Sequence, residues 1–153
     1  MANKDIRTIL APLTDGYVML PNSAVGEILT FTSPEPFEHG PPWLLGEIAW
    51  HGWQVPVIIY ERLLGSNGMT TITAKTRVLI VKTLGESTQV NYIGLVIQGL
   101  PRLKKVNAST LVEKQTDDVP DTVFSKVTID DLHAVIPDLG ELTHTVEIAA
   151  YES

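Results

Sequence analysis

The chain holds 153 residues, 44% of them hydrophobic and 19% charged, a balance that belongs to folded globular proteins and excludes a disordered chain. Its net charge of −7 is uneven, because residues 111–153 carry ten acids against two bases while residues 1–110 nearly balance. With no extended basic stretch to meet phosphates, nucleic acid is not an expected partner, and the absence of cysteine excludes disulfides, thiolate zinc sites and cysteine nucleophiles. No apolar run approaches the ~20 residues of a membrane span, and the start MANKDIRTILAPLTDG lacks a signal-peptide pattern. The expectation is therefore a cytoplasmic protein without direct membrane insertion, folding as one domain over residues 1–153 that buries roughly 70% of its unfolded surface.

Ten prolines and eleven glycines spread along the chain predict many short elements joined by turns, which favours β structure. In chain order, Arg7 to Pro12 and Tyr17 to Leu20 read as a hairpin around Thr14-Asp15-Gly16. Pro21 to Ile28 reads as the start of a short helix or turn, with Asn22 or Ser23 available as N-cap. Phe31 to Pro42 holds four prolines and a glycine, and is expected to be a loop over the surface or across a groove.

The run from Trp43 to Gly65, WLLGEIAWHGWQVPVIIYERLLG, carries the most information. Period-2 alternation puts Leu44, Gly46, Ile48 and Trp50 on one face of a strand and Leu45, Glu47 and Ala49 on the other. His51-Gly52 then forms a tight turn in which glycine supplies a positive φ. Pro56 has no backbone donor, so the second strand should be an edge or leave its ladder there. Tyr60 to Leu64 predicts one helical turn stopped by Gly65.

Ser66 to Thr76 is polar and reads as a mobile connector between two β-rich halves, one mostly before it and one mostly after, with the terminal segments free to cross over and complete the opposite half. Val78-Leu79-Ile80-Val81 and Val90 to Gln98 suit strands covered on both faces, with a turn at Gly85 to Thr88 between them. Gly99-Leu100-Pro101 breaks the sheet before Arg102 to Val106. The bases Arg102, Lys104 and Lys105 read as a solvated strand edge facing the acidic last third. Gln115 to Thr122 is an acidic loop, and Val123 to Ile129 with Leu132 to Ile136 predicts a hairpin over Asp130-Asp131. Pro137 suits the first turn of a terminal helix through Leu139, Leu142, Val146 and Ile148.

The Trp43–Gly65 run resembles the central motif of CheW-like domains, the coupling proteins of bacterial chemosensory arrays. Gly46, Ile48, Gly52, Val55, Pro56, Val57, Leu64 and Gly65 stand in matching positions. Val25-Gly26-Glu27-Ile28 resembles the family's Val-x-Glu-Ile motif, and Gly94-Leu95-Val96-Ile97 its Gly-Leu-Val-Val strand. Two positions depart from the pattern: Gln98 stands where the family usually has Asp, and His51 where it usually has Arg. The resemblance implies an all-β fold with short helices, built as two small SH3-like β-barrels around a shared hydrophobic core. It also implies a non-catalytic adaptor that couples chemoreceptors of the methyl-accepting type to a CheA-like histidine kinase. The opening ILAPLTDGYVMLPNSAVGEIL looks closest to the ChpC-type branch, whose systems control type IV pili and twitching motility.

The resemblance marks Glu27, Ile28, Trp50, His51, Trp53 and Val55 as candidate partner-binding residues. Gly46, Gly52, Pro56, Gly65 and Gly94 are assigned to backbone geometry instead. Trp50 and Trp53 flanking the turn read either as a cross-strand pair steadying the hairpin or as an exposed anchor for a partner. No two of the four histidines, at 39, 51, 133 and 144, share metal-ligand spacing, and the chain has no phosphate-cradling loop or nucleophile elbow, so no catalytic residue, metal or cofactor is expected. Two alternatives stay open: a small-ligand-binding sensory module, and a hydrolase with an unrecognised site.

Overall fold

The computed structural model describes residues 5–65, 70–83, 89–107, 109–114 and 119–151. In chain order its strands are β1 (Ile6–Pro12), β2 (Tyr17–Pro21), β3 (Val25–Thr30), β4 (Leu44–Trp50), β5 (Trp53–Ile58), β6 (Arg77–Lys82), β7 (Tyr92–Ile97), β8 (Arg102–Val106), β9 (Val112–Lys114), β10 (Val123–Ile129) and β11 (Leu132–Pro137). The helices are α1 (Tyr60–Leu63) and α2 (Leu139–Tyr151), with a single 3-10 turn at Asn22–Ala24. The strands make two sheets: a six-stranded one in the order β8-β1-β2-β11-β10-β9 and a five-stranded one in the order β3-β6-β7-β5-β4.

The tight turns follow from local chemistry. Gly16 takes a φ of +80° and its carbonyl accepts from Leu13 N at 2.9 Å, closing the β1–β2 hairpin. His51 and Gly52 have φ of +47° and +82°, and Asp130 and Asp131 have +48° and +65°, so both later hairpins turn through two residues of positive φ. That geometry matches the right-handed twist of the flanking strands.

Several sequence expectations change in the folded chain. The segment from Val25 to Ile28 is strand, not helix: the 3-10 turn is only three residues long, Pro21 holds its cap position, and no side chain caps it. β5 is interior to its sheet, yet its parallel pairing with β7 involves only Val57↔Gly94 and Ile58↔Leu95, so the ladder on that side starts just past Pro56. Strict alternation in β4 also fails. The register passes from Leu44↔Ile58 to Gly46↔Val57, so a bulge inserts Leu45 as an extra residue. Leu44 consequently joins the core between the sheets, while Leu45, Ile48 and Trp50 pack inside the five-stranded sheet.

One sheet lies mostly before the 66–76 connector and the other mostly after it, but each takes two strands from the far side. The five-stranded sheet takes strands from both sides of it, and the six-stranded sheet is assembled from the two ends of the chain. Residues 66–69 of that connector, the turn expected at Gly85 to Thr88 and the first part of the loop from Gln115 lie outside the described residues. Strand β9, which the sequence did not suggest, pairs with β10. The terminal helix starts at Leu139, because Pro137 closes β11 and Asp138 caps the helix, its Oδ1 accepting from Glu141 N at 3.0 Å.

Three apolar clusters result. One lies between the sheets and joins Ala11, Val18 and Leu20 to Leu79, Leu95 and Ile97, with Leu142 and Val146 of α2 sealing it. A second, with Leu10, Met19, Val127 and Ile129, fills the curl of the six-stranded sheet. The third, with Val55, Val57, Val78, Ile80 and Val96, fills the curl of the other.

The loop between β3 and β4 lies along the outer edge of β4, where Glu35 and Glu47 exchange backbone hydrogen bonds of 2.9 Å each way. Gly46 makes that approach possible: a Cβ there would sit 2.2 Å from the Glu35 carbonyl oxygen. Gly46→Ala should therefore cost at least ~2 kcal/mol. Gly52→Ala, with φ of +82° but nothing within 4 Å of the added carbon, should cost only about 1 kcal/mol. Urea unfolding of both variants checks the difference.

Candidate functional site

The two edges of the five-stranded sheet, β3 and β4, meet through side chains at the β4–β5 hairpin. Trp50 Nε1 donates to Glu27 Oε1 at 2.9 Å, and His51 Nε2 lies 3.3 Å from the same oxygen. Gly26 makes room for the indole, since a Cβ there would come within 3.3 Å of Trp50 Cη2 and 3.2 Å of Ile80 Cγ2. Tyr92, at the start of β7, packs edge-on against both tryptophans, with ring centroids 4.8 Å from Trp50 and 5.4 Å from Trp53. The indole of Trp50 also meets the His51 ring edge-on at 4.7 Å. Five side chains from four strands and one turn thus form a polar-aromatic group at one rim of the sheet.

The structure separates the sequence-derived candidates into three sets. Glu27, Trp50 and His51 are in direct contact, and Trp53 joins them through Tyr92. Ile28 is 39% exposed, but strand alternation puts it on the opposite face of β3 from Glu27. Val55 is fully buried inside the sheet, so its side chain packs the hairpin and offers no surface to a partner. The two readings of the tryptophans also divide: Trp50 is tied into the group, whereas Trp53 keeps 43% of its surface exposed.

Tyr92 is the member that sequence reasoning did not single out. Its only sequence signal is an aromatic residue two positions before Gly94, a glycine that a Cβ would push to 2.8 Å from Val78 Cγ1 and 3.2 Å from Val57 Cγ2. At the position of the family's Asp, Gln98 is turned inward. Its Oε1 accepts from Thr76 Oγ1 at 3.1 Å, and its backbone N donates to the Pro12 carbonyl across the two sheets at 2.8 Å. Gly65 closes α1 with a φ of +89°.

The hydrogen bond from Trp50, reinforced by His51, holds the Glu27 carboxyl below the usual carboxylate range. Among the described residues no group of three His, Asp or Glu side chains is arranged to hold a metal ion, and no helix is long and apolar enough to cross a membrane. What the rim offers is a rigid arrangement of a carboxylate, an imidazole and an exposed indole, which suits recognition of another macromolecule's surface.

Two curled sheets sharing one core, with a polar-aromatic group at a hairpin rim, define a β-rich two-sheet module. The chain matches the CheW-like domain over residues 7–147 and belongs to that family. Domains of this family are non-catalytic scaffolds. No curated protein sequence matches the chain. Among solved structures it is similar to the scaffolding protein TtCheW from Thermoanaerobacter tengcongensis, with 20% identity, a TM-score of 0.73, and coverage of 89% of this chain and 86% of that one.

A carboxylate whose folded value is depressed adds stability above its unfolded value and loses it as pH falls through the depressed folded one. The Trp50 indole N–H resonance should accordingly titrate below the usual carboxylate range. In Glu27→Gln that titration should vanish, as followed by proton–nitrogen NMR.

Proposed function

We propose that this CheW-like scaffold acts in the cytoplasm as the adaptor between methyl-accepting chemoreceptors and a CheA-like histidine kinase. The observation that carries the reading is the family match across residues 7–147, nearly the whole chain. The rim of Glu27, Trp50, His51, Trp53 and Tyr92 is the docking face in this reading, and Ile28, on the opposite face of β3, lies outside it. Gly46, Gly52, Pro56, Gly65 and Gly94 set the backbone that holds it. The opening segment's likeness to the ChpC-type branch supports assignment to a system that drives type IV pili and twitching motility.

In this reading Trp53 is the anchor and Trp50 the support, because only Trp53 has a large area left to bury. Trp53→Ala should weaken binding by about thirtyfold, or ~2 kcal/mol, with the melting temperature nearly unchanged. Trp50→Ala should lower both, since it also removes the Glu27 and Tyr92 contacts. His51→Arg restores a guanidinium able to grip a receptor carboxylate through two hydrogen bonds and should strengthen binding to a chemoreceptor tip. Calorimetry against a receptor tip and a CheA-like kinase checks these outcomes. Unchanged affinity in Trp53→Ala moves the docking face elsewhere, and failure of the wild-type chain to bind either partner overturns the adaptor reading.

A further inference from the structure

On the outer strands of the six-stranded sheet the register places two cations directly opposite one another. β1 and β8 run antiparallel with Arg7 facing Lys105, and the next pair on the same face is Ile9 with Leu103. Cross-strand neighbours sit roughly 5 Å apart at Cβ, so like charges there repel. The pairing of Thr8 with Pro21 on the other side of β1 carries Asn22 to the place beside Arg7. Lys105, Arg7 and Asn22 thus form one row across three chain segments. Among the described residues neither Arg7 nor Lys105 forms an ion pair. The nearby carboxylate of Asp5 accepts instead from Asn107 Nδ2 at 2.9 Å.

A cavity of about 330 Å³ opens over this row, lined by Arg7, Asn22, Leu103, Lys104 and Lys105. The Lys104 ammonium is engaged by Asp130, and strand alternation turns it toward the other face. Leu103, 70% exposed, walls one side with an uncovered apolar surface. In a chain of net charge −7, a cavity holding two cations, an amide and a leucine is selective in a defined way. A single carboxylate brings one negative charge against two positive ones and leaves one of them uncompensated. A phosphate monoester carries nearly two negative charges at neutral pH and three acceptor oxygens, enough for the Arg7 fork, the Lys105 ammonium and the Asn22 amide together.

We propose that this cavity binds a small phosphate monoester whose compact apolar body rests on Leu103. The volume lies at the small end of ligand pockets, which limits the body to about the size of one ring. The site lies on the other sheet from the hairpin rim and stands independently of the adaptor reading.

Isothermal titration of the full chain with phenyl phosphate, at fixed ionic strength, tests the proposal, with inorganic phosphate and benzoate as comparisons. Saturable one-to-one binding of phenyl phosphate is expected, several-fold weaker for inorganic phosphate and undetectable for benzoate. Arg7→Gln and Lys105→Gln should each weaken phenyl phosphate binding at least tenfold. Without ligand, Lys105→Gln should melt at a higher temperature than the wild-type chain, because the repulsion is gone, and this separates loss of the site from loss of the fold. The proposal is overturned by absence of saturable binding, by benzoate binding as tightly as phenyl phosphate, or by wild-type affinity in either glutamine variant.

Discussion

One helical turn, α1, fastens the two sheets to each other. It lies at the end of the β4–β5 hairpin, and consecutive side chains reach opposite ends of the six-stranded sheet's own segments. Tyr60 is fully buried and donates its hydroxyl to the Thr122 carbonyl at 2.9 Å, just before β10. Burial, with the charge of Asp138 adding to it, raises the Tyr60 phenol above its ordinary value, so it stays a donor at any working pH. Glu61, 6% exposed, accepts from Thr14 N at 3.0 Å and Thr14 Oγ1 at 2.9 Å in the β1–β2 turn. A buried carboxylate is tolerated only when its lone pairs are met, so the turn and the helix fix each other's positions. The apolar core between the sheets provides adhesion without direction; these bonds supply the direction.

The opposite end of the same hairpin bears the Glu27, Trp50 and His51 group, and the fold treats it differently. At α1 the polar atoms are enclosed, whereas at the His51-Gly52 turn Glu27 and His51 remain in solvent. Interactions there are screened and individually weak. The rim owes its shape instead to packing: the indole of Trp50 over Gly26 and the ring of Tyr92 against both tryptophans. A rigid aromatic base under exposed polar groups lets those groups exchange partners without disturbing the strands beneath.

What could be read from the amino acids was local. Asp15-Gly16, His51-Gly52 and Asp130-Asp131 announce hairpins because their turn chemistry acts over two residues, and the apolar runs of β6 and β7 announce buried strands. The bulges at Gly26 and Leu45 were not legible, because each exists only in relation to a partner strand distant in sequence. The same holds for the division of strands between sheets, for β9, and for the meeting of Glu27 with Trp50 across 23 positions. Val55 is the instructive case. The family resemblance marked it for a partner, yet it shares a strand face with Val57 and both pack inside the five-stranded sheet.

Each sheet contains one parallel junction, β2 with β11 in the first and β5 with β7 in the second, each pairing only two residues in the register. The two junctions join partners at very different separations along the chain. The five-stranded sheet spans residues 25–97 and is complete in sequence well before the polypeptide ends. The β1–β2 hairpin, although synthesised first, finds its parallel neighbour only when β11 emerges, more than a hundred residues later. In order of synthesis the apolar face of that hairpin, Ala11, Val18 and Leu20, precedes the strands and helix that cover it, so the six-stranded sheet depends on contacts far apart in sequence, the kind that slow folding.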